Sequence, residues 1–262
     1  MEVALLTVGD ELLSGDTLNT NANWLAEQLA DRGVRVARIL SVADEKHEIT
    51  THVEQYSREF DRLIVTGGIG GTPDDVTMEA VADAFGLELA ATELTRASVD
   101  QRLAELEARM PDRKLALDRE AEASIPAGSR PLINETGLAP GCVVKNVYVF
   151  PGIPGELKAM FSAVAPEFVG DWSSTFLYTV EPEANIIPAL ETAMEEFAVT
   201  VGCYPDREAD HNRLKLTATD DGVLEAAGDW LLSNINASET PVSRDWSTDE
   251  SQPKSDYRDS TN

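Results

Sequence analysis

Cysteine is nearly absent from the chain: Cys142 and Cys203 are the two in 262 residues. Two isolated thiols build no disulfide framework and form no paired metal-binding motif. Histidine is as sparse, at His47, His52 and His211. His47 and His52 are five apart, poorly placed for one helix face, and His211 is remote. Lysine is scarce, and basic residues together number 21 against 47 acidic ones, a formal charge of −26. So negative a surface offers little to a phosphate backbone and repels a like-charged membrane face, so neither nucleic acid nor membrane is an expected partner. No apolar run is long enough to span a bilayer. The opening MEVALLTVGDE has no basic signal-peptide start, so a cytoplasmic location is expected. No serine lies in a G-x-S-x-G elbow, which leaves a carboxylate or metal-bound water as candidate base.

What is abundant is acid, spread along the whole length. At low salt such a surface repels itself, and at molar salt it is screened within a few ångströms. The pattern reads as a salt-adapted, haloarchaeal surface, with an ordinary acidic protein as the alternative. Hydrophobic residues make up 42% of the chain, enough for the core of one large or two small domains.

Strand and helix signals alternate. EVALLTVG is an apolar run of strand length ended by glycine, which predicts a buried parallel strand. NTNANWLAEQLADRG predicts a helix with Ala22, Leu25, Ala26 and Leu29 on one face and Gly33 at its C-terminal cap. VRVARIL and DRLIVTGG read as strands. EKHEITTHVEQYSREF and VTMEAVADAFG read as helices, the first with Ile49, Val53 and Tyr56 on one side. A long amphipathic helix is expected over Glu93 to Met110, and GCVVKNVYVFPGIPGELKAMF predicts a hairpin, a proline-glycine turn and a helix. The expected architecture is a three-layer α/β/α domain with a mainly parallel sheet, residues 1–171. A β-α-β-β-α order follows over 172–235, a small α+β module. Residues 236–262 are polar and aperiodic, and are expected to be a disordered acidic tail.

In parallel sheets ligands bind beyond the carboxyl ends of the strands. Three loops fall there: GDELLSG, SVADEK and GGIGGTPDD. The last holds four glycines within five residues, then Asp74 and Asp75. Glycines present backbone N–H groups to phosphate oxygens without side chains in the way. The loop is neither a Walker A sequence nor a dinucleotide fingerprint, since no Gly-Lys-Ser/Thr follows and Pro73 holds the last fingerprint position. Two aspartates beside phosphate require a cation between them, and Mg²⁺ takes one or two carboxylates plus phosphate oxygens. Asp74 alternatively caps the helix that begins near Val76. Asp10, Glu11 and Asp44 are surface acids taken singly and gain interest by sharing the sheet edge. Asn19 reads either as a cap or as a further group at that edge, and Asn23 as solvated or at the same edge. FPGIPGEL reads either as a rigid turn or as part of the site, with Glu156 favoured by the helix dipole in the first case.

TVGDELLSGDTLNTNANWLAEQLADRG, GGIGGTPDDVT, NETGLAPG and FPGIPGELKAM occur in the order found in CinA-type competence/damage-inducible proteins, and the chain over 1–171 resembles that family. Its first domain is related to the MogA/MoaB molybdopterin-binding proteins. The resemblance implies a molybdopterin-binding-like fold and a ligand with an aromatic ring and a phosphate or pyrophosphate, bound with Mg²⁺ or another divalent cation. It implies either metal-dependent hydrolysis of a nucleotide pyrophosphate such as ADP-ribose or non-hydrolytic binding or transfer of molybdopterin. A purely structural reading, with a vestigial site, is the third alternative. Asp44, Asp74 and Asp75 are the implied catalytic positions, with Asp74 and Asp75 as metal ligands. Asp10, Glu11, Asn19, Asn23, Gly67, Gly68, Gly70, Gly71, Thr72, Thr77, Pro151, Gly152 and Glu156 are the implied ligand-binding positions. The resemblance also implies a homo-oligomer, dimer or trimer. Residues 172–235 resemble the KH-like module that follows this domain, without a GXXG clamp for RNA. Two departures stand out: Gly71 occupies a position where many CinA proteins have proline, and the deamidase domain of full-length CinA proteins is absent, so no deamidation of nicotinamide mononucleotide is expected.

Overall fold

The computed structural model describes residues 1–110 and 117–243. They form two compact units, Met1–Asp171 and one beginning at Trp172. In chain order the first unit has β1 (Glu2–Val8), α1 (Asp10–Ser14), α2 (Thr20–Ala30), β2 (Arg35–Val42), α3 (Lys46–Glu59), β3 (Arg62–Thr66), α4 (Thr77–Ala84), β4 (Leu89–Ala91) and α5 (Glu93–Arg109). It continues with α6 (Arg119–Glu122), β5 (Ser124–Pro126), β6 (Arg130–Leu132), β7 (Gly141–Val144), β8 (Val147–Phe150) and α7 (Pro154–Val164). The second unit has β9 (Ser173–Thr179), α8 (Glu183–Glu196), β10 (Thr200–Asp206), β11 (His211–Ala218), α9 (Asp221–Asn234) and β12 (Ala237–Ser238).

The main sheet runs β2-β1-β3-β8-β7-β6. The pairs from β2 to β8 are parallel, and β7 and β6 add an antiparallel edge. The β1 residues feed two cores by strict alternation. Val3 and Leu5 pack with Leu25 and Leu29 of α2 and Leu157 and Phe161 of α7. Ala4, Leu6 and Val8 pack with Ile49 and Val53 of α3 and Met78 and Val81 of α4. A strand buried on both faces is a near-continuous apolar run, and β1 is one from Val3 to Val8 save for the buried Thr7. Helices cover both sides, so the unit has the three layers expected, each fully buried leucine contributing about 1.5–3 kcal/mol.

This arrangement brings Val8, Val42, Thr66 and Phe150 to one edge, because parallel register aligns the four strands; Thr7 faces both Ser41 and Thr66, and Thr66 faces Phe150. The segments that follow these strand ends build the site. The five-residue α1 was not foreseen inside GDELLSG. It opens on Asp10 and Glu11 and ends at Gly15 in the left-handed region.

The second unit is a four-stranded sheet ordered β10-β11-β9-β12, with α8 and α9 packed on it through Ile186, Leu190, Leu224 and Leu231. The start of the expected disordered tail is corrected here. Ala237 and Ser238 pair with Thr179 and Tyr178 as strand β12, and the Thr179 hydroxyl donates to the Asn236 carbonyl at 2.7 Å. Local polarity hid a strand that exists only because β9 offers an edge. The rest of that expectation, from residue 244 on, lies outside the described residues. Among the described residues no helix is long and apolar enough to cross a membrane.

Candidate functional site

A cleft of about 550 Å³ opens at the carboxyl edge of the parallel strands. Its floor is Val8, Gly9 and the turn Gly67–Gly70, and Pro151 to Pro154 form a second wall. Gly67 is dictated by backbone, not by ligand alone. It has φ 104°, and a Cβ there would lie 2.1 Å from the Val8 carbonyl oxygen. Its N–H donates to the Phe150 carbonyl, which ties the turn to β8. Beyond it, the N–H groups of Gly68, Ile69, Gly70 and Gly71 have no acceptor among the described residues. They stand beside the N-terminus of α7, an eleven-residue helix that opens on Pro154, which has no N–H, and leaves the Gly155 and Glu156 amides without an intrahelical acceptor. Both are donors suited to an anion.

The opposite character comes from carboxylates. Glu11, Asp44, Asp74 and Asp75 all line the cleft. Asp10 does not line it but positions Asp44. The Asp10 N–H donates to Asp44 Oδ2 at 2.9 Å, and the Asp44 N–H donates to Asp10 Oδ1 at 3.3 Å. Burial pushes the Asp44 carboxyl above the ordinary aspartate range. The Asp10 N–H opposes this, and the charges of Asp10, Glu11 and Asp74 add to it. Asp75 Oδ2 accepts from the Thr72 N–H at 3.0 Å and from the Thr72 hydroxyl, which folds the loop onto itself. Helix α4 starts from Val76 without a side-chain cap, so Asp74 is free of the capping role considered for it.

Glu156 is fixed by a residue the implied positions omitted. Asn134, fully buried, donates to Glu156 Oε2 at 2.7 Å and to the Ala139 carbonyl at 3.1 Å. Its Oδ1 accepts from the Gly137 N–H at 2.7 Å. Arg102 of α5 clasps the same loop through the Thr136 and Gly137 carbonyls. Asn134 begins the motif NETGLAPG, so the signal was present in the sequence; an asparagine preceding a turn simply has no chemistry that announces a partner 22 residues away.

Other implied positions lie elsewhere. Asn19 caps α2, accepting from the Ala22 N–H, and its amide donates to Thr7 and Ser41. Its hydrogen bonds are spent on joining α2 to β1 and β2. Asn23 lies on the exposed side of α2 and donates to Glu27. Neither lines the cleft. Thr77 is fully buried beneath Gly68, with its hydroxyl unpartnered among the described residues. Gly71 and Thr72 line an adjoining chamber of about 350 Å³ that shares Ile69, Gly70, Asp75 and Glu122 with the cleft. Glu122 was missed altogether. It is 9% exposed, and its Oε2 has no hydrogen-bond partner among the described residues. Burial pushes its carboxyl up from the ordinary range, and the Asp75 charge adds to this. Asn21 was also missed: its amide donates to the Gly152 carbonyl at 2.7 Å, holding the second wall. Cys142 is fully buried, and burial pushes its thiol up to about 12.

Among the described residues no group of three or more His, Cys, Asp or Glu is placed to hold a metal ion by itself. Two carboxylates plus phosphate oxygens is a set that Mg²⁺ accepts, and Asp74 and Asp75 on the cleft wall are chemically suited to it.

The protein PH0439 of Pyrococcus horikoshii is 35% identical over 84% of this chain and 90% of its own length. A CinA-like protein of Citrifermentans bemidjiense is 34% identical over 90% of this chain and 59% of its own length. Among solved structures, the protein CinA of unknown function from Thermoplasma acidophilum superposes with a TM-score of 0.58 at 31% identity, covering 64% of this chain and 99% of that one. Residues 4–170 match the model of the MoCF_biosynth family, described as "Probable molybdopterin binding domain", and with these CinA-like relatives the match shows that the chain belongs to that family.

Proposed function

We propose that the cleft binds the pyrophosphate of a nucleotide such as ADP-ribose together with a divalent cation and hydrolyses it to two monophosphates. The observation that carries this reading is a single cleft lined both by unpaired backbone donors of the glycine turn and by the carboxylates of Glu11, Asp44, Asp74 and Asp75. The glycine turn and the α7 N-terminus would receive phosphate oxygens. Asp74 and Asp75 would hold the cation, which when bound neutralises the negative charge that builds up on phosphorus. Asp44 is the candidate base for the attacking water: burial and neighbouring acids raise its proton affinity, and its contact with the Asp10 N–H fixes its orientation. Glu156, held by Asn134, shapes the mouth.

The test is to incubate the protein in molar potassium chloride with ADP-ribose and Mg²⁺ or Co²⁺ and to look for AMP. Cation-dependent AMP is the expected result. The family membership favours a second reading, molybdopterin binding or transfer without hydrolysis. Tight molybdopterin binding by folded protein that yields no AMP would replace the first reading with the second.

A further inference from the structure

The chamber beside the cleft has a wall that the hydrolytic reading leaves unused. It is lined by apolar side chains, Met78, Leu89, Leu117 and Pro140, by the less buried acids Asp75, Glu79 and Asp118, and by one buried carboxylate, Glu122. Its volume of about 350 Å³ falls in the range of small-molecule sites, about 300–1,000 Å³. Helix α6 places Glu122 there. Asp118 caps that helix by accepting from the Glu120 and Ala121 N–H groups, and Glu122 follows at its last turn.

Two independent observations make Glu122 more than a buried acid. Its Oε2 is buried and unpartnered among the described residues, and a buried acceptor without a donor costs free energy that a ligand can return. Gly71 makes room for it: a Cβ on Gly71 would lie 2.5 Å from Glu122 Oε2. A methyl group at 71 would displace the end of the Glu122 side chain. The acceptor stands where the cleft meets the chamber, since Glu122 lines both. Phosphate is excluded as its partner by charge, because an anion supplies no donor and Asp75 is already close.

We propose that the chamber seats a flat, amine-bearing heterocycle, a purine or a pterin, and that Glu122 is the specificity-determining residue that accepts the hydrogen bond of the exocyclic amine. This deepens the reading of the cleft as the phosphate subsite of the same ligand: the phosphates lie along Gly67–Gly70, and the ring turns past Gly71 into the chamber. The amine is common to adenine and pterin, so Glu122 fits either ligand class.

The experiment measures binding by the full chain in molar potassium chloride, without divalent cation and with ligands that carry no phosphate, so that neither turnover nor the cation site is involved. Two ligand pairs are compared, adenosine against inosine and pterin against its 2-oxo analogue. In each pair an oxo group replaces the amine. The expected result is a preference of about tenfold or more for the amine-bearing member of at least one pair, because a site built around a hydrogen bond rejects the ligand that lacks the donor. In Glu122→Met that ratio falls to near one. Glu122→Gln, whose amide can accept from the amine or donate to the oxo group, narrows the ratio. Circular dichroism checks that each variant folds. The pair that shows the preference identifies the ring. An unchanged ratio in folded Glu122→Met, equal binding of both members by the unaltered protein, or no binding of either amine-bearing ligand would overturn the proposal. Absence of AMP in the hydrolysis assay would not touch it, and AMP formation with an unaltered ratio would sink this inference alone.

Discussion

The two units differ in whether any buried polar atom is left without a partner. In the second unit Thr179, fully buried, donates to the Asn236 carbonyl and accepts from the Glu181 N–H at 3.0 Å. In the first unit Glu122 Oε2, Thr77 Oγ1 and Asn21 Oδ1 are buried without partners among the described residues, and Glu122 lines the cleft itself. Every buried, unpartnered side-chain atom found among the described residues belongs to the first unit, including His52 Nδ1 and Arg62 Nε away from the cleft. An interior that satisfies its own donors and acceptors has nothing to offer a ligand. An interior that leaves acceptors unmet at the ends of parallel strands is organised around one.

The contrast can be broken most directly by changing one atom in the glycine turn. Asp75→Asn keeps the acceptor that folds Thr72 back onto the loop but removes a charge, so turnover of ADP-ribose should fall about 100-fold or more while circular dichroism is unchanged. Turnover close to the unaltered rate would remove Asp75 from the cation site. A core substitution in the second unit should do the reverse. Leu214 is fully buried among Leu177, Leu216 and Leu231. Leu214→Ala should cost about 2–5 kcal/mol of stability, read by denaturant titration, with AMP formation at low temperature preserved. Loss of turnover at full folding would show that the second unit serves the chemistry.

The smallest effect sharpens the comparison through pH. Folding raises the Asp44 pKa above its ordinary 3.8, so folding favours the protonated form. That contribution is fully present below 3.8 and is lost as pH rises through the raised folded value. Asp44→Asn, which cannot ionise, should therefore melt slightly higher than the unaltered protein at neutral pH. The gap should close as pH falls below 3.8, even though the same substitution lowers turnover. A variant that melts lower at neutral pH would mean that the Asp44 charge is compensated in the folded protein.

Several site residues were legible because backbone geometry demanded them. Gly67 cannot be replaced where the turn passes the Val8 carbonyl, and glycine clusters are visible in any sequence. Asp75, Asp74 and Glu156 were legible because they adjoin such turns. Asn19 and Asn23 were not separable from ligand-binding asparagines, since an asparagine that caps a helix or pairs with Glu27 looks the same as one that meets a substrate. Glu122 was not legible for a different reason. In a chain with 47 acids, one more glutamate in DREAEASIP carries no signal. It becomes distinct through burial, through the lack of a partner and through the space Gly71 leaves.

The sequence by itself determined the layers and the sheet edge. Continuous apolar runs of strand length can be buried on both faces only between helices, and amphipathic helices supplied those faces. The tertiary structure decided which acids meet. Asp10 and Asp44 lie 34 residues apart and orient each other because β1 and β2 are parallel neighbours. Glu122 meets Gly71 and Asp75 across roughly fifty residues because α6 returns to the glycine turn. Hydrophobic pattern is local and periodic, so it can be read from neighbours in sequence. Charge–charge proximity and an unmet acceptor are properties of distance in space, and only the folded chain has those distances.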